Sequence, residues 1–254
     1  MKWLCLTFFA ERKDLPSDAG FALFGPEHRI WIAACLLFIV AGALLFRKGF
    51  QKMRKGVLLF AALSSFFWQV AQGLYRIVLG YYGIGTLPLH ICCLASYLVI
   101  LHYFYHPAAL SEILYFPMLF GPWFAIFFPD WTAYPAWSFM SCASFCVHAS
   151  ILLYIILQME NGIICPSLRR IYAPAIFLAV YAAVMIPFDH HFEVNYGFLN
   201  VPSPGSPLIT IAQIFGYGIG YYAGYAILVS AVMLAAYLPI ELRKSRKWTH
   251  KGRC

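Results

Sequence analysis

The stretch RIWIAACLLFIVAGALLF, residues 29–46, decides the class of fold. It contains no charged residue after Arg29 and is about as long as the 17–25 residues with which a helix crosses the hydrocarbon core of a bilayer. Similar stretches recur along the chain, in which 62% of the residues are hydrophobic and 11% are charged. Soluble domains are about half apolar and about a quarter charged. The sequence therefore predicts a helical protein that crosses the membrane several times.

We expect an all-α bundle of seven membrane helices. The predicted spans are 29–46, 57–79, 88–105, 109–128, 137–157, 172–188 and 208–238. The last is longer than one membrane thickness, and we expect it to tilt, protrude or break between Pro207 and Pro239. The connectors are too short to hold a soluble domain. The chain 1–254 is thus predicted to be one integral membrane domain, with a short N-terminal segment 1–28 and a basic tail 241–254.

The basic loops between and after the predicted spans lie on one side of the seven-span arrangement. Their Lys and Arg residues occupy the connector after the first span, the connector after the fifth span, and the tail: Arg47, Lys48, Lys52, Arg54, Lys55, Arg169, Arg170, Arg243, Lys244, Arg246, Lys247, Lys251 and Arg253. Loops 80–87, 129–136 and 189–207 contain no Lys or Arg. The positive-inside rule therefore predicts a cytoplasmic C-terminus and an N-terminus outside or in a lumen. This topology explains the formal net charge of +8, and no nucleic-acid partner is expected.

Ionisable side chains inside membrane spans are expensive, so each one is a candidate site residue. In the predicted topology they gather in the outer half of the membrane, which indicates a cavity open to the outside or to the outer leaflet. Gln72 and Arg76 lie on one helical face and, with His28, are candidates for substrate binding. Two alternatives stay open at this point. His28 and His90 are also typical of interfacial residues, and Arg76 has the length to extend its charged end to the membrane surface.

The histidine in SFMSCASFCVHASILLYII, residues 138–156, lies too deep in its span to reach the surface easily. His148 shares a helical face with Ser141 and Ser144, and a serine or a backbone carbonyl is enough to satisfy a structural histidine. The alternative is a general base, because an imidazole exchanges protons near neutral pH. Cys92 is the natural nucleophile for such a base. We therefore predict Cys92 and His148 as a candidate catalytic pair.

The remaining cysteines and histidines show no established spacing of metal ligands, so neither a metal nor a cofactor is predicted. Gly216, Gly220 and Gly224 recur every four residues in the last span, a spacing that lets membrane helices approach closely. The glycines make this helix a candidate contact between copies of the chain in a homo-oligomer.

Five motifs occur in an order that resembles a known family. They are FGPEH at 24–28, LPLHIC at 87–92, FFPD at 127–130, FCVHA at 145–149 and NYGFLNVPSPGSP at 195–207. Over residues 24–240 the chain resembles the bacterial YwaF-like integral membrane proteins, which are related to the eukaryotic transmembrane protein 164. The resemblance favours a bacterial plasma membrane.

The resemblance also implies a chemistry. The eukaryotic relative is similar to an acyltransferase that moves fatty acyl chains between phospholipids and depends on a membrane cysteine, which matches Cys92. His148 would then act as base or acid, and His90 would orient or polarise an ester carbonyl. Arg76 would hold a lipid phosphate. The last connector adds the candidate substrate-binding residues Asn195 and Tyr196.

Three functions follow from these observations. The first is a lipid-directed acyltransferase or hydrolase with membrane lipids as substrates. The second is a transporter, or a protein that binds lipids or other small molecules, which uses the same cavity without covalent chemistry. The third is an accessory scaffold whose polar residues only stabilise the bundle.

Overall fold

The computed structural model describes residues 8–247, with side chains as far as Leu242. Within this part of the chain the regular structure is helical and no strand occurs. The helices are α1 Pro26–Lys48, α2 Gln51–Val78, α3 Ile91–Phe104, α4 Ala108–Tyr115, α5 Phe120–Phe127, α6 Phe139–Glu160, α7 Tyr172–Phe192, α8 Leu208–Phe215 and α9 Ile219–Lys247. The all-helical prediction is therefore confirmed. Residues 1–7 and 248–254, which include the end of the predicted basic tail, lie outside the described residues.

Six helical stretches in this part of the chain are long and apolar enough to cross a membrane. They are Pro26–Lys48, Gln51–Val78, Ala108–Phe127, Phe139–Glu160, Leu168–Phe192 and Ile219–Leu242. The predicted span 88–105 corresponds to α3, which has only 14 residues. At 1.5 Å per residue, α3 is about 21 Å long. The molecule is a multi-pass membrane protein, and the count of seven full spans and the orientation of the termini stay predictions.

The core of the bundle is built around α6. In this helix 83% of the most apolar window is buried, against 22% or less in α1, α2, α7 and α9. Lipid solvates exposed apolar side chains well, so the outer helices keep Leu37 and Val78 on their surfaces, 70% and 82% exposed. α6 begins after Ser138, whose side chain accepts a hydrogen bond from the amide of Ser141 and caps the helix. Depth in the bundle, rather than hydrophobicity, therefore distinguishes α6.

The long predicted span 208–238 breaks into α8 and α9. Gly216 and Gly218 between them have φ angles of 77° and 69°, in the left-handed region that favours glycine. The chain reverses there, and this brings α9 so close to α8 that only glycine fits at two positions. A Cβ at Gly224 would lie 2.7 Å from Ile211, and one at Gly220 would lie 1.9 Å from the carbonyl oxygen of Phe215. Two of the glycines thus serve a contact within the chain. Their use between copies of the protein stays a prediction.

The loops alternate between two ends of the bundle. We call the end that carries residues 79–90, 129–138 and 193–207 the cavity end, and the end that carries 49–50, 105–107 and 161–171 the opposite end. Residues 8–25, which we call the strap, lie over the cavity end. The amide of Phe21 bonds to the carbonyl of Thr132 at 2.9 Å, and the Tyr81 hydroxyl donates to Asp14 at 2.5 Å. The strap therefore joins the loops that follow α2 and α5.

Candidate functional site

A cavity of about 440 Å³ lies at the cavity end, between α2, α3 and α6. Its lining brings together the sequence-predicted candidates Arg76, Gln72, His90, Cys92 and His148. The lining also includes Gln69, Cys93, Asp130, Trp131 and Tyr134. Residues from four regions distant in sequence thus meet at one place.

His148 is held in one tautomer. Its Nδ1 lies 2.6 Å from the carbonyl oxygen of Ser144, one turn earlier in α6, so Nδ1 must carry the proton. The indole of Trp131 stacks on the imidazole with ring centroids 5.1 Å apart. Nε2 is buried and has no hydrogen-bond partner in the described structure. A neutral imidazole fixed in this way presents the lone pair of Nε2, which is the form that a general base requires.

Cys92 is the residue next to that lone pair. Its thiol is reduced, and its side chain interacts with that of His148 without forming a hydrogen bond of regular geometry. Cys92 lies in the first turn of α3, where unpaired backbone N–H groups favour a negative charge. The neighbouring Cys93 interacts with Cys92 and with Gln69. The arrangement allows a proton to pass from the Cys92 sulfur to His148.

His90 is held in the opposite tautomer to His148. Its Nδ1 accepts a hydrogen bond from the amide of Gly197 at 3.3 Å, so in the neutral ring the proton is on Nε2. The ring packs against Tyr196 and Phe198, with centroids 4.9 and 5.5 Å apart. The cavity therefore contains one imidazole that accepts a proton and another that donates a hydrogen bond.

Arg76 does not lie free at the membrane surface. Its Nε bonds to a carboxylate oxygen of Glu11 at 3.0 Å, and the hydroxyl of Tyr134 donates to the other oxygen at 2.5 Å. The side chain of Arg76 is 22% exposed and that of Glu11 is 9% exposed. The strap therefore contributes an acid to the site. Sequence reasoning missed Glu11, because its only signal is an acidic residue in a segment assigned no role.

Three predicted binding residues are not part of the cavity lining in the described structure, and their polar atoms hold the backbone elsewhere. His28 is fully buried, accepts from the amide of Phe24 and donates to the carbonyl of Ile126, both at 2.9 Å. Asn195 bonds within its own loop, with its amide nitrogen 2.8 Å from a carbonyl oxygen. The hydroxyl of Tyr196 donates to the carbonyl of Ile84 at 2.5 Å.

Asp130 and Trp131 line the cavity although the sequence reasoning gave them no role. Asp130 is exposed and presents a carboxylate at the cavity wall, and Trp131 orients His148. The signal for Asp130 is the motif FFPD, which places an acid three residues after the end of α5, with Trp131 following it. Among the described residues, no group of three or more His, Cys, Asp or Glu side chains is placed to hold a metal ion.

Comparison with known proteins identifies the family. The sequence model of the TMEM164 family matches residues 23–239, which include every helix from α1 to α8 and all the cavity-lining residues named above. No curated protein and no solved structure matches the chain. The predicted relation to transmembrane protein 164 is confirmed, and the bacterial branch of the resemblance stays a prediction. This multi-pass membrane protein therefore belongs to the TMEM164 family.

Proposed function

We propose that this protein transfers or hydrolyses acyl chains of membrane lipids, with Cys92 as the nucleophile and His148 as the base. The observation that carries the proposal is the fixed tautomer of His148. Its Nδ1 is bonded to the Ser144 carbonyl, and the buried Nε2 is left for Cys92 beside it. The buried histidines His28 and His102, by contrast, have both ring nitrogens hydrogen-bonded.

The reaction proceeds in two balanced steps. In the first, Nε2 of His148 takes the proton of the Cys92 thiol as the sulfur attacks the ester carbonyl carbon. The C–S bond forms, the ester C–O bond breaks, and the imidazolium gives its proton to the leaving lysolipid oxygen. In the second, the hydroxyl of a lysolipid or a water molecule attacks the thioester carbon and passes its proton to His148. The new C–O bond forms, the C–S bond breaks, and the imidazolium returns its proton to the Cys92 thiolate, which restores the neutral pair.

His90 assists by donating a hydrogen bond, and Arg76 assists through its positive charge. The Nε2–H of His90 donates to the carbonyl oxygen as it becomes negative, and a water-poor cavity strengthens this interaction. Arg76 holds the lipid phosphate together with Gln72. Because Nε of Arg76 is already bonded to Glu11, the phosphate uses the terminal amino groups of the guanidinium.

The test is an intact-protein measurement on the purified chain in lipid nanodiscs that contain phosphatidylcholine with a labelled acyl chain. We expect a thioester adduct on Cys92 that hydroxylamine removes. Cys92→Ser abolishes this hydroxylamine-labile adduct and His148→Asn slows its formation, whereas the matched variant Cys93→Ser keeps it. Lipid that binds equally to wild type and Cys92→Ser, with no adduct on either, would instead support the lipid-binding or transport function.

The proposal extends to the location. The basic loops 47–55 and 169–170 lie at the opposite end, so the positive-inside rule puts the cavity end on the outer face. The resemblance to the YwaF-like proteins favours a bacterial plasma membrane. Reporter fusions at the C-terminus and within 79–90 test this topology. A cytoplasmic signal from 79–90 would reverse it.

A further inference from the structure

One wall of the cavity is also a surface of the bundle that faces lipid. On α2, the residues Val70, Gly73, Leu74 and Ile77 line the cavity and follow one another at helical spacing along a single stripe. Leu74 and Ile77 are 55% and 54% exposed. In a membrane span such exposed apolar side chains contact hydrocarbon. The same side chains therefore contact the cavity and the bilayer.

The facing wall comes from α3. Cys93 and Tyr97 lie one turn apart, both line the cavity, and Tyr97 is 37% exposed. Toward the opposite end, the ring of Tyr97 packs edge-on against Phe66 of α2 with centroids 5.8 Å apart. The two helices thus enclose a cleft that is closed at Phe66 and open beside the cavity.

We define the α2–α3 cleft by the residues Val70, Gly73, Leu74, Ile77, Cys93 and Tyr97. It has free space at its edge, since a Cβ added to Gly73 would meet no atom within 4 Å. Next to its apolar stripe on α2 runs a polar stripe that ends at Arg76. An apolar surface that leads from hydrocarbon to a thiol, with polar groups alongside, complements an amphipathic ester.

From this arrangement we propose that the α2–α3 cleft admits and seats the acyl chain of a bilayer lipid. The ester reaches Cys92 sideways from the membrane plane and not through the aqueous mouth. The inference deepens the proposed function and rests on it for the identity of the reacting atom. It adds the route and the binding surface of the chain, and Gly73 is the position where a large side chain would fill the free space of the cleft.

The test compares two thiol reagents on the whole protein in nanodiscs, with the site of alkylation read by mass spectrometry. N-dodecylmaleimide partitions into the bilayer, whereas N-ethylmaleimide arrives from water. In Gly73→Trp we expect alkylation of Cys92 by N-dodecylmaleimide to slow about tenfold or more, while the rate with N-ethylmaleimide stays within about twofold. Gly56→Trp is the matched control, because Gly56 lies on the same helix and is equally open. It is expected to change neither rate.

Other results would overturn the proposal. Equal slowing of both reagents in Gly73→Trp would mean a shared aqueous route or a collapsed cavity, and unchanged rates with both would mean that the cleft is not an entry. A second copy of the chain covering the cleft would make the N-dodecylmaleimide rate rise on dilution into excess lipid, which also contradicts it. Failure of the proposed function alone is separate. It would leave the two alkylation rates as predicted while no acyl adduct forms on Cys92.

Discussion

Each end of the bundle buries an ionisable side chain, and the two side chains, Glu112 and His148, are paired differently. At the opposite end Glu112, only 1% exposed, accepts hydrogen bonds from the Arg170 guanidinium at 2.7 Å, the Ser167 amide at 3.1 Å and the Tyr237 hydroxyl at 2.7 Å. At the cavity end, Nε2 of His148 is buried with no such partner. A polar atom buried without a partner costs free energy, so its persistence indicates a use other than stability.

A pair of histidines makes the same comparison within one residue type. His102 is fully buried at the opposite end, and both of its nitrogens are bonded, to the Tyr154 hydroxyl at 2.9 Å and to Ser111 at 3.0 Å. His148 is almost as deeply buried but has only Nδ1 bonded in this way. Similar burial with different pairing separates an imidazole that joins helices from one that is available for chemistry.

The largest effect that would test this contrast is on catalysis. We expect His148→Asn to slow acyl-adduct formation at Cys92 by about 10²–10⁴-fold, the usual contribution of a general base. The melting temperature in detergent should hardly change, because the lost Nε2 has no partner and the asparagine amide can still donate to the Ser144 carbonyl. A large drop in melting temperature with unchanged adduct formation would reverse the assignment.

Glu112→Ala is the converse experiment at the opposite end. It leaves the buried Tyr237 hydroxyl without its acceptor, whereas Arg170, 38% exposed, regains water, so we expect a cost of about 2 kcal/mol. The free energy of unfolding in mixed micelles should fall by that amount, while the folded fraction keeps its rate of adduct formation. Glu160→Ala, whose partner Arg47 is largely exposed, is the control and should be close to neutral. Loss of adduct formation in folded Glu112→Ala would contradict the assignment of Glu112 to stability alone.

A smaller effect is expected where the strap meets the cavity. Glu11→Gln removes the negative charge beside Arg76, and we expect the free energy of unfolding to fall by about 1.5 kcal/mol. Arg76 then has an uncompensated positive charge, so a fluorescent lysophospholipid should bind more tightly. Asp14→Asn, which alters an exposed contact of the strap, serves as the control for strap docking. Weaker binding in Glu11→Gln alone would show that the acid itself contacts the ligand.

The smallest effect concerns Tyr134 and pH. Burial and the bond to Glu11 raise the pKa of Tyr134 to about 12, above the ordinary value near 10. The folded state therefore favours the neutral phenol, and its contribution is fully present below pH ~10 and is lost as the pH rises toward ~12. Tyr134→Phe should cost about 1 kcal/mol at neutral pH, and this difference should shrink between pH 10 and 12 in unfolding titrations. A difference that grows over this range would contradict the assigned bond.

The positions of the helices could be predicted because lipid imposes a local rule on sequence. Spans such as 137–157 need about 20 apolar residues in a row, and α6 at Phe139–Glu160 agrees with that prediction closely. The break in 208–238 was only one of three alternatives, since it depends on left-handed backbone at Gly216 and Gly218. An apolar run does not reveal that a chain reverses inside it.

The site was less predictable because its partners are distant in the chain. The cost of ionisable groups in the membrane pointed to His148 and Arg76. Cys92 followed as the nucleophile for such a base and from the family resemblance, but none of these arguments says which side chains meet. Glu11 and Arg76 are 65 positions apart, and only the docking of the strap brings them together. His28 shows the reverse case, a residue that the sequence selects as a site residue and that lies outside the cavity lining. A histidine at a helix start reads as a site residue, and only the bonds to both of its nitrogens identify what it does in the fold.

The shortness of α3 has a consequence for the bilayer itself. A helix of about 21 Å in a hydrocarbon layer of about 30 Å creates a hydrophobic mismatch, to which the lipids adapt by local thinning. We expect this thinning beside the first turn of α3, where Cys92 lies. Headgroups drawn inward there would bring the glycerol esters of a phospholipid to the depth of the thiol while the lipid stays in its leaflet.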